Sequence, residues 1–284
     1  MRSADSPVSL LTSFVDAHPR LFVLTGAGIS TNSGIPSYRD AEGNWQRSQP
    51  ITHQQFTGSA SMRQRYWARS MLGWTVIARA APNAAHRALA AMQRAGCVAR
   101  LVAQNVDGLH DAAGSSGVIE LHGNLHNVIC LNCGGGESRA AIQLLLEEAN
   151  PELVARTAES APDGDARLDD GYERFVVPAC PGCGGTLMPD VVFFGGNIPR
   201  ERVRAASGAL EEADAVLVVG SSLMVYSGFR LCEEAAAMGK PVAAINRGRT
   251  RADDFLEWKI DADCSDALSE LAAAFAARVS MPGM

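Results

Sequence analysis

The chain has 284 residues, of which 47% are hydrophobic and 20% charged, and it carries a net charge of −6. That balance excludes a wholly disordered chain, and no run reaches the ~18 apolar residues of a membrane-spanning helix. An acidic chain without a basic block is also a poor candidate for binding nucleic acid through phosphates.

A single core stops growing near this length, so a main domain with a smaller appendage is expected. The chain opens on a helical pattern. Ser6 suits a cap, Pro7 the first helical position, and Val8, Leu11 and Val15 recur on one face. Because the N-terminus lacks the layout of a secretion signal, it is taken as part of the fold. A short apolar run, Leu21 to Leu24, then leads into Gly26 and Gly28, the strand-to-glycine transition with which α/β domains build nucleotide sites.

Further strands are expected at Val98 to Val102, Ala215 to Val219 and Val242 to Ile245. Helical stretches run from Asn83 to Ala95, Arg200 to Glu212 and Phe229 to Met238. This alternation predicts a Rossmann-like α/β domain with a parallel sheet covered on both faces. Two segments break the rhythm: Ile51 to Ala80, and Leu121 to Gly196, the latter including a helical run from Arg139 to Ala149. They read as insertions that join into a small zinc-binding and helical lobe (51–80 and 121–196). The large lobe would then comprise 1–50, 81–120 and 197–284.

Seven cysteines, an odd number, with no signal peptide fit a reducing, cytoplasmic setting better than a disulfide scaffold. Four of them form two knuckles, Cys130-x-x-Cys133 and Cys180-x-x-Cys183, each followed by glycine. Four thiolates close a tetrahedron around one zinc ion and leave no position for water, so the metal is expected to be structural.

The remaining motifs lie where such folds bind ligands, just past strand ends. Gly26, Ala27 and Gly28 suit backbone approach to a pyrophosphate, although a tight turn needs the same glycines. The third glycine comes at Gly34 instead of position 31, and no strand ending in an acid follows at the dehydrogenase spacing. A dinucleotide fits this pattern better than hydride transfer does. Gln104, Asn105, Val106 and Asp107 follow the second large strand, and His122 follows Glu120 and Leu121. Asparagine and aspartate there are compatible with a plain turn, and the histidine becomes a general base only beside a cofactor hydroxyl. Gly220, Ser221 and Ser222, then Asn246, Arg247 and Gly248, add small polar groups at the same sheet edge.

In order and spacing these motifs resemble the sirtuins, the NAD-dependent protein-lysine deacylases. The likeness runs from Leu21 to Cys264 and takes in Gly34-Ile35-Pro36, Tyr38-Arg39, Leu121-His122-Gly123 and Pro189 to Gly195. The stretches Arg63 to Arg69 and Ala161 to Asp165 look more particularly like class II sirtuins, the branch of the mitochondrial lipoamidase and ADP-ribosylating member.

The resemblance implies that NAD and an acyl-lysine of a protein substrate meet in a cleft between the lobes. The acyl oxygen would attack C1′ of the nicotinamide ribose, and His122 would then act as base on a ribose hydroxyl. Nicotinamide, free lysine and O-acyl-ADP-ribose would result. Asn105 and Asp107 would hold nicotinamide and ribose as further catalytic residues. The Gly26 loop with Ser30, Ile35, Pro36, Arg39 and Trp45 would cover the cofactor, next to Gln104 and Val106. Gly220, Ser221, Ser222, Asn246, Arg247 and Gly248 would take the phosphates and adenosine, with Cys264 near adenine. Val192, Phe193, Phe194 and Gly195 would pair with the substrate peptide by strand addition. Tyr66 and Arg69, three residues apart on a helical pattern, would form a fork for an acidic acyl chain. The protein would act as a monomer without nucleic acid or membrane partners.

Three positions depart from the family pattern: Ser37 and Gly196 stand where acids are usual, and Ala103 where threonine is. None removes the base, the amide or the zinc ligands. Two other readings share the same residues: mono-ADP-ribosyl transfer to a protein side chain, and a non-catalytic module that senses NAD or ADP-ribose.

Overall fold

The structure is a computed structural model and describes residues 7–37, 40, 50–154, 168, 172–269 and 271. Tyr38, Arg39, Trp45 and the stretch 161–165, which the sequence singles out, lie outside the described residues.

A first helix, α1 (Pro7–Ala17), leads to β1 (Leu21–Thr25) and a 3-10 turn, Ala27–Ser33. Then come α2 (His53–Gly58), α3 (Ala60–Arg79), α4 (Ala84–Arg94), β2 (Val98–Ala103), α5 (Leu109–Ala112) and β3 (Ile119–Glu120). The second insertion holds β4 (Gly123–Cys130), β5 (Gly136–Ser138), α6 (Arg139–Ala149), α7 (Pro151–Val154) and β6 (Leu187–Val191). The chain returns through α8 (Arg200–Glu212), β7 (Ala215–Val219), α9 (Tyr226–Ala237), β8 (Val242–Ile245) and β9 (Trp258–Ile260).

The large sheet has the order β3-β2-β1-β7-β8-β9, with every pairing parallel. All five residues of β1 and all five of β7 are buried, as strands covered on both faces must be. Side chains alternate across β1. Leu21 and Val23 pack with Leu11 and Leu89 on one face, while Phe22 and Leu24 pack with Leu210 and Leu231 on the other. The order reverses between β1 and β7. The crevice beyond their carboxyl ends is the place where such sheets bind ligands.

The smaller sheet is antiparallel in the order β5-β4-β6. Its core draws on both insertions, with Phe56, Tyr66 and Trp67 packing against Val128, Ile142, Leu146 and Phe193. Arg139 is buried there, its guanidinium 5.5 Å from the Trp67 ring centre and 4.9 Å from that of Trp74. It donates to Gln143 Oε1 (2.7 Å) and the Ser70 carbonyl (3.1 Å), which fastens α6 to α3. Burial lowers its pKa to about 10, so it stays charged at neutral pH. An ion pair of Arg202 with Asp190 (3.0 Å) ties α8 to β6 of the smaller sheet.

The strand expected around Val192 to Gly195 ends earlier, at Val191. The segment that follows is extended but makes single contacts, Val192 N–H to the His122 carbonyl and a bridge between Phe194 and Thr52. It turns at Gly195, where φ is +73°. Gly196 is packed so tightly that a Cβ would lie 3.0 Å from the Phe193 carbonyl oxygen and 3.4 Å from His53 Cβ, which leaves no easy room for an acid.

Candidate active site

Six strand ends and the β6 tail surround one cleft of about 690 Å³. Its floor is made by glycines. Gly28 N–H donates to the Gly220 carbonyl (2.8 Å), so the loops after β1 and β7 interlock at the switch point. A Cβ on Gly28 would sit 2.9 Å from that carbonyl oxygen, and one on Gly220, whose φ is +62°, only 2.3 Å from Ile29 N. A Cβ on Gly26 would meet Ser221 at 2.7 Å. Side chains are excluded here, which leaves exposed backbone of the kind that receives a pyrophosphate. Leu223 nearby holds φ +57°, strain that its buried setting and a hydrogen bond to Ser221 Oγ maintain.

Beyond β2, one carboxylate organises the polar wall. Asp107 is 4% exposed and accepts from Ser30 Oγ (2.7 Å), Asn105 Nδ2 (3.3 Å) and Leu109 N (3.0 Å). Asn105 also donates to Ser30 Oγ at 2.9 Å. Both carboxylate oxygens are engaged within the protein, so Asp107 orients Ser30 and Asn105.

His122 stands on the opposite wall, between β3 and β4. Its Nδ1 lies 2.8 Å from the Gln104 carbonyl, which only accepts, so Nδ1 carries the proton and Nε2 the lone pair. Gln104 is held in turn by Ser221 Oγ, which donates to its Oε1 at 2.8 Å. Burial pulls the imidazole below its ordinary range; the Gln104 bond opposes this and the Arg202 charge adds to it. A neutral histidine with an oriented tautomer is what a general base requires.

Most expected site residues line this cleft: Gly26, Ala27, Gly28, Ser30 and Ile35 from the first loop, then Gln104 to Asp107, and His122. Gly220 to Ser222, Asn246, Arg247 and Cys264 also line it, as do Val192 to Gly195 and Tyr66. Among the described residues Pro36, Gly248 and Arg69 do not. Gly248 instead accepts at its carbonyl from Asn246 Nδ2 (3.4 Å) and Lys259 Nζ (3.3 Å), shaping the loop. Ser227, which the sequence reading passes over, lines the cleft with its hydroxyl 2.8 Å from His122 Nε2. A lone serine at a helix start offers no spacing pattern by which to find it.

The four knuckle cysteines meet as expected, with all sulfurs within 4.8 Å of one another. Two separations, 3.5 Å for Cys130 to Cys183 and 3.9 Å for Cys133 to Cys180, bracket the ~3.8 Å edge of a zinc tetrathiolate. The donor set fits Zn²⁺, and a closed set of this kind is structural.

A parallel sheet with a glycine-floored switch point, a neutral histidine facing the cleft and an appended four-thiolate cluster defines a class of α/β proteins with a nucleotide-type crevice. The chain belongs to the Sir2 family, whose model matches residues 26–227. It is 58% identical over 262 residues to an NAD-dependent protein deacetylase of Xanthomonas campestris pv. campestris (strain 8004), covering 92% of this chain and 89% of that one. A Bordetella bronchiseptica protein of the same description is 55% identical over 272 residues, 95% of this chain and 99% of the other. Among solved structures, a Sir2–p53 peptide–NAD⁺ complex superposes with a TM-score of 0.70 at 28% identity, covering 97% and 99% of the two chains.

Proposed function

We propose that the protein removes acetyl groups, and more broadly acyl groups, from protein lysines in an NAD-dependent reaction that yields O-acyl-ADP-ribose. The observation that carries this reading is the orientation of His122, neutral, with Nδ1 held on the Gln104 carbonyl and Nε2 on the cleft side, opposite a floor of glycines. The naming of the Xanthomonas and Bordetella relatives as NAD-dependent protein deacetylases supports it.

NAD, when bound, supplies an electrophilic ribose carbon with nicotinamide as leaving group. The chain's own residues do the rest. The Gly26 and Gly220 loops receive the phosphates with backbone N–H groups. Asn105, fixed by Ser30 and Asp107, presents an amide to the nicotinamide end. His122 Nε2 takes the proton of a ribose hydroxyl, while its Nδ1–H remains on the Gln104 carbonyl. Val192 to Gly195 give the substrate peptide an extended backbone to lie against. Asn246 and Arg247 take the adenosine side, and Tyr66 faces the acyl end of the cleft.

Incubation with NAD and an acetyl-lysine peptide, read by mass spectrometry, tests the reading. Nicotinamide, free lysine and O-acetyl-ADP-ribose in equal amounts are expected. ADP-ribosylated protein without O-acetyl-ADP-ribose would establish the transferase reading instead, and NAD binding without any product would establish a sensor.

A further inference from the structure

Ser227 touches the one atom on which the proposed chemistry turns. Its Oγ lies 2.8 Å from His122 Nε2, and since Nδ1 holds the proton, the serine hydroxyl is the donor and the Nε2 lone pair the acceptor. The contact is built by the first turn of α9. The next residue, Gly228, passes so close to Gln104 that a Cβ would lie 2.5 Å from its Nε2. The same helical turn therefore presses against the base and against the residue whose carbonyl orients it. Both Ser227 and His122 face the cleft.

An imidazole nitrogen offers one lone pair. A ribose hydroxyl that is to give its proton to Nε2 must come within about 2.6–3.2 Å of it. The serine hydroxyl already occupies that position, so the two hydroxyls compete. We propose that Ser227 is a positioning residue that holds the lone pair of His122 in the free enzyme and surrenders it to the ribose hydroxyl when the nucleotide binds. The Gln104 carbonyl fixes the tautomer and Ser227 the direction of the Nε2 lone pair before the cofactor arrives, and the released bond sets part of the binding equilibrium. The inference rests on the reading of the cleft as an NAD site.

The test uses the full chain, ADP-ribose as probe, and Ser227→Ala and Ser227→Thr variants checked for unchanged thermal melting. Calorimetry should show Ser227→Ala binding ADP-ribose about 2- to 10-fold more tightly, the range that one neutral hydrogen bond spans. Ser227→Thr keeps the donor and should bind like the parent. Nitrogen NMR of the free proteins should show the His122 Nε2 resonance moving in Ser227→Ala and returning when ADP-ribose is added. Equal or weaker binding by Ser227→Ala, or an Nε2 resonance indifferent to the substitution, overturns the proposal. If Ser227→Ala proves unstable, Ser227→Cys substitutes a weaker donor, and failure of that variant to bind more tightly overturns it equally. Binding by none of the proteins removes the NAD reading itself, whereas equal binding by all removes only the role of Ser227.

Discussion

His122 sits at the end of a relay of backbone and side-chain contacts, and its removal separates chemistry from binding. His122→Ala is expected to retain NAD affinity, because the glycine loops are untouched, while deacylation falls by about 10²- to 10⁴-fold. Calorimetry with NAD beside a peptide assay checks both halves. The pH profile is a second test. Burial depresses the imidazole, and the neutral form is the active one, so the rate rises with pH through a value below the ordinary ~6.5 of histidine. An acid limb of kcat/KM at or above that value would show that another group titrates. Tyr66 bears on selectivity. It is buried at 7% exposure against Phe56 and Phe193, yet lines the cleft, and Arg69 follows one turn on, half buried. If the two form a carboxylate fork, glutaryl-lysine is processed faster than acetyl-lysine, and Arg69→Ala costs about ten- to a hundred-fold in kcat/KM on the acidic chain alone. Equal losses on both peptides would assign Arg69 to the fold.

At the scale of elements, the loops after β1 and β7 and the zinc knuckles carry separable demands. Gly220→Ala forces a Cβ into a left-handed backbone and onto Ile29 N, so a loss of about 2 kcal/mol or more in stability is expected, together with nucleotide binding. Gly239→Ala is the control. Its φ is +70° but nothing lies within 4 Å of the added carbon, so only the backbone cost of about 1 kcal/mol should appear in urea melts. In the knuckles, Cys130→Ser or Cys183→Ser opens the tetrahedron, and zinc content and folding stability are expected to fall together. A well-folded, active preparation of the parent protein without zinc would contradict this. Lysine is rare in the chain, and both copies donate to backbone carbonyls, Lys240 to a cluster of three and Lys259 to one beside a carboxylate. Lys240 Nζ donates to the carbonyls of Leu210, Glu211 and Ala213 at the end of α8, and Lys259 Nζ to that of Gly248 and to Asp253. A compact ammonium with three rotatable donors suits such places better than a planar guanidinium.

At the scale of the molecule, two buried histidines couple folding to pH. His86 serves the capping of α4 through Nδ1, which accepts from Asn83 N–H, and His110 meets Thr25 Oγ1 at 2.9 Å; their rings lie 4.8 Å apart. Burial lowers His86 to about 4 and His110 to about 3. Unfolded histidines take protons near pH 6.5 while the folded ones refuse them, so stability is full above that value and declines as pH falls toward 4. The slope is at most about 1.4 kcal/mol per unit for each histidine. His110→Gln should therefore lose about 1–2 kcal/mol less than the parent between pH 7 and pH 5 in denaturant melts. An identical decline in both would exclude His110 as the cause.

The large sheet was legible because its strands are apolar runs bounded by glycine and polar clusters, and much of the cleft lining because those residues follow the runs. The small lobe was less so. β5 reads Gly-Glu-Ser, too short and too polar to carry a period, and its pairing is set by β4; at the edge of the large sheet β3, with two residues beside β2, is too short for the same reason. The start of α9 at Tyr226, ahead of the expected Phe229, escaped for a related reason: Ser227 and Gly228 look like a loop and are helical, Ser227 against His122 and Gly228 against Gln104.

The central position of β1 has a consequence for how the chain is made. Leu21 pairs with Val98 on one side and with Ala215 on the other. During synthesis the first partner follows soon, but the second emerges only after roughly 10–40 s at 5–20 residues per second. For that interval one edge of a strand that is fully buried in the finished fold has no neighbour, and the Gly28 loop has no Gly220 to lock against. An open hydrophobic edge invites pairing with another nascent chain. The crevice at the switch point is thus among the last features to close, and a chain cut short before β7 would carry all four knuckle cysteines but only one wall of that crevice.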